Sequence, residues 1–322
     1  MKIITFFSYK GGAGRTVAAS NIAAAMASEK GHTGAINEPL NNKVALFDLD
    51  VFSAGIHRVF QISPKQVNKR MCIQDYLLNQ ISPEEYIESG KIECQDELMS
   101  GFRQGMNAQD NCRSDFALFP AKQDPDKRFS VQKQHENLLL ELFMEMEDRG
   151  YDYIILDGES GIRSMADISI RLADTVVMLF RLTWQHIEGT IDVADEYPQK
   201  YPGKPFYLIP TVVPLVGLGQ KNNIYKDEAP GIKFLIDRTD TMPEDSALDD
   251  YAIKNKFIDN NSDKKGAGYF WAEPNRICIH DSLYLKGEER AYIYEANARN
   301  DRAAHDYYQI AKLLCRLHPT EK

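Results

Sequence analysis

Short apolar runs recur along the chain at Ile3–Ser8, Val44–Asp48, Phe116–Pro120, Tyr153–Asp157, Thr175–Leu182, Phe206–Val213 and Ile277–Ile279. They are rich in β-branched and aromatic residues and do not alternate strictly with polar ones. Strands covered on both faces read this way. Helical patterns lie between them. Val17–Lys30 is rich in alanine and suits close packing on a sheet. His135–Arg149 carries Leu138, Leu139, Leu142 and Phe143 at helical spacing, and Ile187–Tyr197 is a weaker pattern. Alternating strands and helices predict an α/β fold, an open and mostly parallel sheet flanked by helices. Two polar stretches, at about 62–113 and 218–274, interrupt the alternation. The first holds helical patterns at Ile73–Asn79 and Pro83–Ser89 and ends in the loop-like GMNAQDNCRSD; the second contains NNSDKKGAG. Neither has the apolar residues for a core of its own, so both read as insertions in a single domain spanning 1–322.

Composition narrows the class. The 322 residues suffice for a substantial core, and 43% hydrophobic with 26% charged residues is ordinary for a soluble globular protein. No apolar run approaches the roughly 20 residues that span a bilayer. The opening MKIITFFSYKGG lacks a small-residue cleavage site and runs into a glycine loop, so it reads as a first core strand. The five cysteines (Cys72, Cys94, Cys112, Cys278, Cys315) form no CxxC pair, which argues against a disulfide framework or zinc site and points to a cytoplasmic setting. A net charge of −9 gives broad electrostatic binding to nucleic acid no support.

The candidate chemistry begins where the first strand meets the first helix, at Tyr9-Lys10-Gly11-Gly12-Ala13-Gly14-Arg15-Thr16. A glycine turn in this context exposes backbone N–H groups that can surround phosphate oxygens, and the helix N-terminus adds a positive dipole. Thr16 stands where a P-loop Ser/Thr puts its hydroxyl on Mg²⁺. The pattern G-x4-G-K-[ST] fails at Tyr9, which replaces the first glycine, and at Arg15, which replaces the lysine. Read alone, the segment is also compatible with a plain glycine turn. Two further segments change the balance. Val44–Asp50 puts Asp48 and Asp50 at the end of the second strand, the edge where open α/β sheets bind ligands. Tyr153–Gly161 ends an apolar strand in Asp157, as in a Walker B arrangement.

With these motifs the sequence resembles the ParA/MinD family of deviant Walker A ATPases, whose loop reads KGGxGK[ST] with a signature lysine at its start. Lys10–Thr16 matches except at Arg15, and the likeness extends through Val44–Asp50, Tyr151–Gly161, Ala173–Gly189, Phe206–Pro214 and Ile277–Leu283. The wording is nearer an arginine-variant subgroup, KGGxGR[ST], whose acidic strand is followed by Gly-[Ile/Leu]-His-Arg, here Gly55–Arg58. The resemblance implies ATP and Mg²⁺ as cofactors. Lys10, Gly11, Gly12, Ala13, Gly14, Arg15, Thr16 and Val17 would form the phosphate cradle. Thr16 and Asp157 would hold the metal, with Asp48 a second candidate. Asp50 would position the attacking water. Lys10 would reach the nucleotide of a partner subunit in a homodimer, and Gly161 would belong to the switch that senses the γ-phosphate. Adenine contacts would come from the segment after Val213 and from His280–Leu283. Arginine's planar fork binds phosphate differently from the compact lysine charge, so turnover is expected to be modest.

Other features have more than one reading. His57 and Arg58 fit either a phosphate or partner contact or a solvated loop. Trp184-Gln185-His186 lines the nucleotide pocket or, for Trp184, the core edge. The terminal helix Ala303–Leu317 carries Tyr307, Ile310, Ala311, Leu314 and Leu317 on one face; with only Lys312 and Arg316 basic, packing on the fold is favoured over a membrane surface. The leading functional expectation is an ATP-driven dimerisation switch that controls an unidentified partner protein. The alternatives are a hydrolysis-poor regulatory module recruiting an effector, for example in bacterial defence, a small-molecule kinase or synthetase of the same architecture, and a DNA-partitioning ATPase.

Overall fold

The computed structural model describes residues 1–27, 40–79, 81–93, 115–123, 129–161, 164–181, 183–213, 278–282 and 301–318. In chain order the elements are β1 (Lys2–Ser8), α1 (Arg15–Met26), β2 (Val44–Asp48), α2 (Ile56–Val59), α3 (Pro64–Val67), α4 (Ile73–Asn79), α5 (Pro83–Gly90), β3 (Ile92–Glu93), β4 (Phe116–Phe119), α6 (Gln134–Asp148), β5 (Tyr153–Ser160), α7 (Ser164–Leu172), β6 (Thr175–Arg181), α8 (Trp184–Lys200), β7 (Phe206–Val213), β8 (Ile279–His280) and α9 (Arg302–Leu317).

The strands form one eight-stranded sheet in the order β3-β4-β2-β5-β1-β6-β7-β8. Every neighbouring pair is parallel except β3 with β4. Successive side chains of a strand point to opposite faces, and both faces here are covered. Ile4, Phe6, Leu46 and Ile155 face a layer containing α1 and α9, whereas Phe7, Phe47, Leu156 and Met178 face α6, α7 and α8. Double coverage explains why the strands read as unbroken apolar runs.

Helix α1 is buried along nearly its whole length, from Arg15 to Met26, with Thr16 half-buried. Its alanines let it sit between the sheet and α9, whose Ala303, Ala304 and Ala311 are buried in the same cluster. The terminal helix therefore packs on the fold through Tyr307, Ile310, Ala311 and Leu314, as its pattern predicts. Asp301 caps it, accepting from the Ala303 N–H at 2.9 Å.

The described part of the first polar stretch contributes to the two apolar clusters of the sheet. Val67, Cys72 and Ile92 lie in one, Ile73, Tyr76, Tyr86 and Ile87 in the other. Tyr76 and Tyr86 stack at 4.9 Å, and the two-residue β3 closes the sheet edge against β4. The periodicity gave no signal for so short a strand, nor for α7. Strand β5 also runs past Asp157 to Ser160. Helix α1 ends at Met26 rather than continuing to Lys30, and residues 28–30 lie outside the described residues. So do Leu182, Ile277 and the whole 218–274 stretch.

Gly158 follows Asp157 on β5, beside β1. A Cβ there would stand 2.9 Å from the Phe6 carbonyl oxygen and 3.3 Å from Ser169 Oγ. Backbone cannot give way as a flexible side chain can, so Gly158→Ala should separate two central strands and cost about 1–3 kcal/mol. Urea denaturation of the two proteins measures this; equal midpoints would mean that the strands yield freely.

Candidate functional site

Strand β1 is central, so the turn that follows it opens at the C-terminal edge of the sheet beside β5 and β6. Gly12 and Gly14 adopt φ of 83° and 77°, the left-handed region that a side chain disfavours. Gly14 then caps α1, its carbonyl accepting from the Ala18 N–H at 2.9 Å. Among the described residues, none of the backbone N–H groups of Gly11, Gly12, Gly14, Arg15 or Thr16 donates a hydrogen bond. Thr211 of β7 donates its hydroxyl to the Ala13 carbonyl at 2.8 Å. The Ala13 and Val17 side chains are buried, so these two residues offer the site only backbone.

Three acids converge below the loop. Asp48 and Asp157 are register partners on adjacent parallel strands, and both are fully buried. Burial raises both carboxyls above the usual carboxylate range. The neighbouring Asp157 charge raises Asp48 further, whereas Arg15 and the Thr16 side chain work the other way on Asp157. Backbone donors hold Asp48: its Oδ1 accepts from the Asp50 N–H, and its Oδ2 from those of Gly55 and Ile56, each at 3.2 Å. It therefore organises the turn after β2.

Arg15 supplies the cation. Its buried guanidinium donates from Nε to Asp157 Oδ1 at 3.0 Å, from Nη2 to Asp50 Oδ2 at 2.8 Å and from Nη1 to Ser8 Oγ at 3.0 Å. The second oxygen of Asp157, Oδ2, is buried without a hydrogen-bond partner. Lys10 takes a different course. It lies at the exposed rim of the loop, and its Nζ donates to Gln185 Oε1 of α8 at 2.5 Å. Beside it the Tyr9 ring rests on Gly189, where a Cβ would come within 2.0 Å of the ring. Gly161 has φ 78° and donates its N–H to the Ser8 carbonyl at 2.9 Å, which ties the end of β5 to the start of the loop.

A protein-family model described as an AAA domain (AAA_31) matches residues 1–196, from β1 through most of α8. The chain belongs to this family. Its fold is that of the ParA/MinD-like P-loop ATPases. It is similar to the MinD cell division protein of Aquifex aeolicus at 16% identity and a TM-score of 0.58, over 98% of each chain. An ATP complex of Cyanothece McdA matches with a TM-score of 0.61 and 13% identity, over 98% of this chain and 96% of that one. Cobyrinic acid a,c-diamide synthase of Mycobacterium smegmatis, solved with ADP and magnesium, gives 0.58 and 13%, over 100% of this chain and 96% of that one. No curated protein matches the chain significantly.

Of the residues expected at the site, Lys10, Gly11, Gly12, Gly14, Arg15, Thr16, Asp48, Asp50, Asp157 and Gly161 all gather at one end of β1, β2 and β5. The structure adds Ser8, Thr211 and Gly189, which sequence reasoning missed. Ser8 and Thr211 read simply as strand residues, but a glycine inside α8, where alanine would be favoured by about 1 kcal/mol, was a usable hint of close packing. Of the segments expected to contact adenine, the one after Val213 and Leu283 lie outside the described residues, as does the Trp184 side chain, whereas His280 is held by Asp306 of α9 at 2.7 Å and Ser282 donates to Asp301 at 2.8 Å.

His57 is not in a solvated loop. It is fully buried on α2, neither ring nitrogen has a hydrogen-bond partner, and burial with the Arg58 charge lowers its pKa to about 4. The unfolded chain would titrate near 6.5, so between about 6.5 and 4 the folded state binds fewer protons. Stability from this group is complete above that window and is lost as pH falls through it, on the order of 3 kcal/mol. His57→Leu should therefore flatten the acid limb of a urea-midpoint profile between pH 7 and 4.5; an unchanged slope would exonerate His57.

Arg15→Met would leave the buried carboxylates without their cation and should cost about 3–5 kcal/mol at pH 8. Carboxyls whose folded pKa lies above the unfolded value stabilise at low pH and lose that contribution as pH rises through the folded value. The penalty should accordingly shrink by pH 5. A penalty in urea denaturation that is equal at both pH values would contradict this electrostatic account.

Proposed function

We propose that the chain is an ATP-binding, slowly hydrolysing dimerisation switch that controls a partner protein. One observation carries the reading: the loop after β1 keeps a row of unspent backbone N–H groups directly above a buried acidic cluster. A phosphate chain calls for such donors, and a helix N-terminus favours its charge. The residues also fit a divalent cation, since Asp157 Oδ2 is buried and unpartnered beside Thr16. Thr16 and Asp157 would hold Mg²⁺, and Asp48, already engaged by three backbone donors, would act from behind them. Bound Mg²⁺ would neutralise charge on the phosphates as they react.

The chain's own residues divide the remaining work. The amides of Gly11 to Thr16 bind and orient the phosphates. Arg15 adds a charged fork at the base of the loop and couples the ligand to Asp50 and Asp157. Asp50, at the end of β2, is the acid that would orient the attacking water. Lys10 projects from the rim and is available to a facing copy of the chain. Gly161, hydrogen-bonded to Ser8, would pass changes at the loop to the segment after β5. Lys10, at the signature position of the loop in the ParA/MinD resemblance, supports this reading over the synthetase reading.

Arg15 also favours a second reading, a regulatory module that binds nucleotide and barely hydrolyses it. Its guanidinium already engages both Asp50 and Asp157, so the water-orienting acid is restrained. Size measurement with and without ATP tests the switch. Wild type should dimerise with ATP, Lys10→Ala should stay monomeric, and Asp50→Ala should remain dimeric for longer than wild type. If ATP leaves all three monomeric, or all three equally dimeric, the switch is rejected. A stable wild-type dimer that releases no phosphate would select the regulatory module.

A further inference from the structure

We propose that Thr211 is a positioning residue for the phosphate loop, one whose hydroxyl selects the orientation of the Ala13–Gly14 peptide. The inference rests on the nucleotide-binding reading and adds a residue outside positions 1–196, the part matched by the family model.

A trans peptide is planar, and its C=O and N–H point in opposite directions. The Ala13 carbonyl points at Thr211, which donates to it at 2.8 Å, so the Gly14 N–H of the same peptide points away from β7. That N–H has no hydrogen bond of its own among the described residues. Gly14 has no Cβ to oppose rotation, and its φ of 77° lies where glycine alone moves freely. The glycine turn by itself therefore permits either orientation of the peptide. Thr211 breaks the degeneracy in favour of the one that offers the N–H to a phosphate.

The latch is rigid. Thr211 is 2% exposed and is paired on both sides, with Arg181 of β6 and Ile279 of β8. A β-branched side chain on a strand has little χ1 freedom. The Phe180 carbonyl at 3.3 Å is a longer alternative for the same proton. Directly after it, Val212 sits at φ 56°, in the left-handed region that a β-branched residue avoids, and the β7–β8 register shifts between Thr211 and Val213. The irregularity falls after Thr211 and leaves it in register. A one-residue slip would turn its hydroxyl to the opposite face of the sheet.

Thr211→Val keeps the shape and removes the hydroxyl, whereas Thr211→Ser keeps the hydroxyl. Calorimetric titration of the full chain with ATP and with pyrophosphate should show Thr211→Val weakened about tenfold for both ligands, a change of one hydrogen bond. Thr211→Ser should stay within about twofold of wild type, since the donor is retained. Thermal melting establishes that each variant is folded, and Thr211→Ala replaces the valine variant if the latter is not. Wild-type affinity in the folded hydroxyl-less variant would overturn the positioning role, and so would a serine variant as weak as valine. Wild type failing to bind ATP at all would instead overturn the nucleotide reading on which the role rests.

Discussion

Three carboxylates buried at one end of a parallel sheet are the constraint around which this structure is organised. Asp48 and Asp157 face each other in register on β2 and β5, and Asp50 follows two residues later. Left alone, such a group would be neutralised by protonation or would destabilise the fold. The chain answers in two ways. Backbone N–H groups at the turn after β2 solvate Asp48, and Arg15 bridges Asp50 to Asp157. The second answer ties the first turn of α1 to three strands at once, because Ser8 ends β1. The glycine loop between Ser8 and Arg15 is thereby fixed at both ends.

Sheet order makes this convergence possible. The chain leaves β1, crosses β5's place to build β2 and β4, returns to β5, and then continues through β6 and β7 on the other side of β1. The loop after β1 therefore opens where the direction of winding changes, the place at which open α/β sheets leave a crevice. Helices α1 and α9 cover one face and α6, α7 and α8 the other, and Asp48 and Asp157 between them are fully buried. Among the described residues, the amides of the loop without hydrogen-bond partners stand at the C-terminal edge of the sheet.

Much of this was legible in the sequence because the responsible physics is local. A doubly covered strand must be apolar throughout, so Val44–Asp48 and Tyr153–Asp157 announced themselves together with the acids that end them. A glycine turn before an alanine-rich helix is equally local. The partners of Arg15 were not legible, since they depend on which strands lie side by side. Thr211 was invisible for another reason: threonine is a good strand former, and the carbonyl its hydroxyl meets lies 198 positions away. The solvated-loop reading of His57 failed because a histidine in a short polar segment looks exposed, whereas α2 turns it inward.

The identity of Arg15 matters for how such a loop can respond to an anion. A lysine in its place would bring one compact charge, which could serve Asp50, Asp157 or a phosphate but could not span them with fixed geometry. Arginine's fork uses three of its nitrogens on three different acceptors, and each of those acceptors belongs to a different strand or its end. An anion arriving at the Gly11–Thr16 amides competes with two carboxylates for the same guanidinium. Any shift of the fork towards it would loosen Asp50 and Asp157 together, because planar geometry couples its nitrogens. The three contacts tie Asp50, Asp157 and Ser8 to one side chain, so none of them can move independently of Arg15.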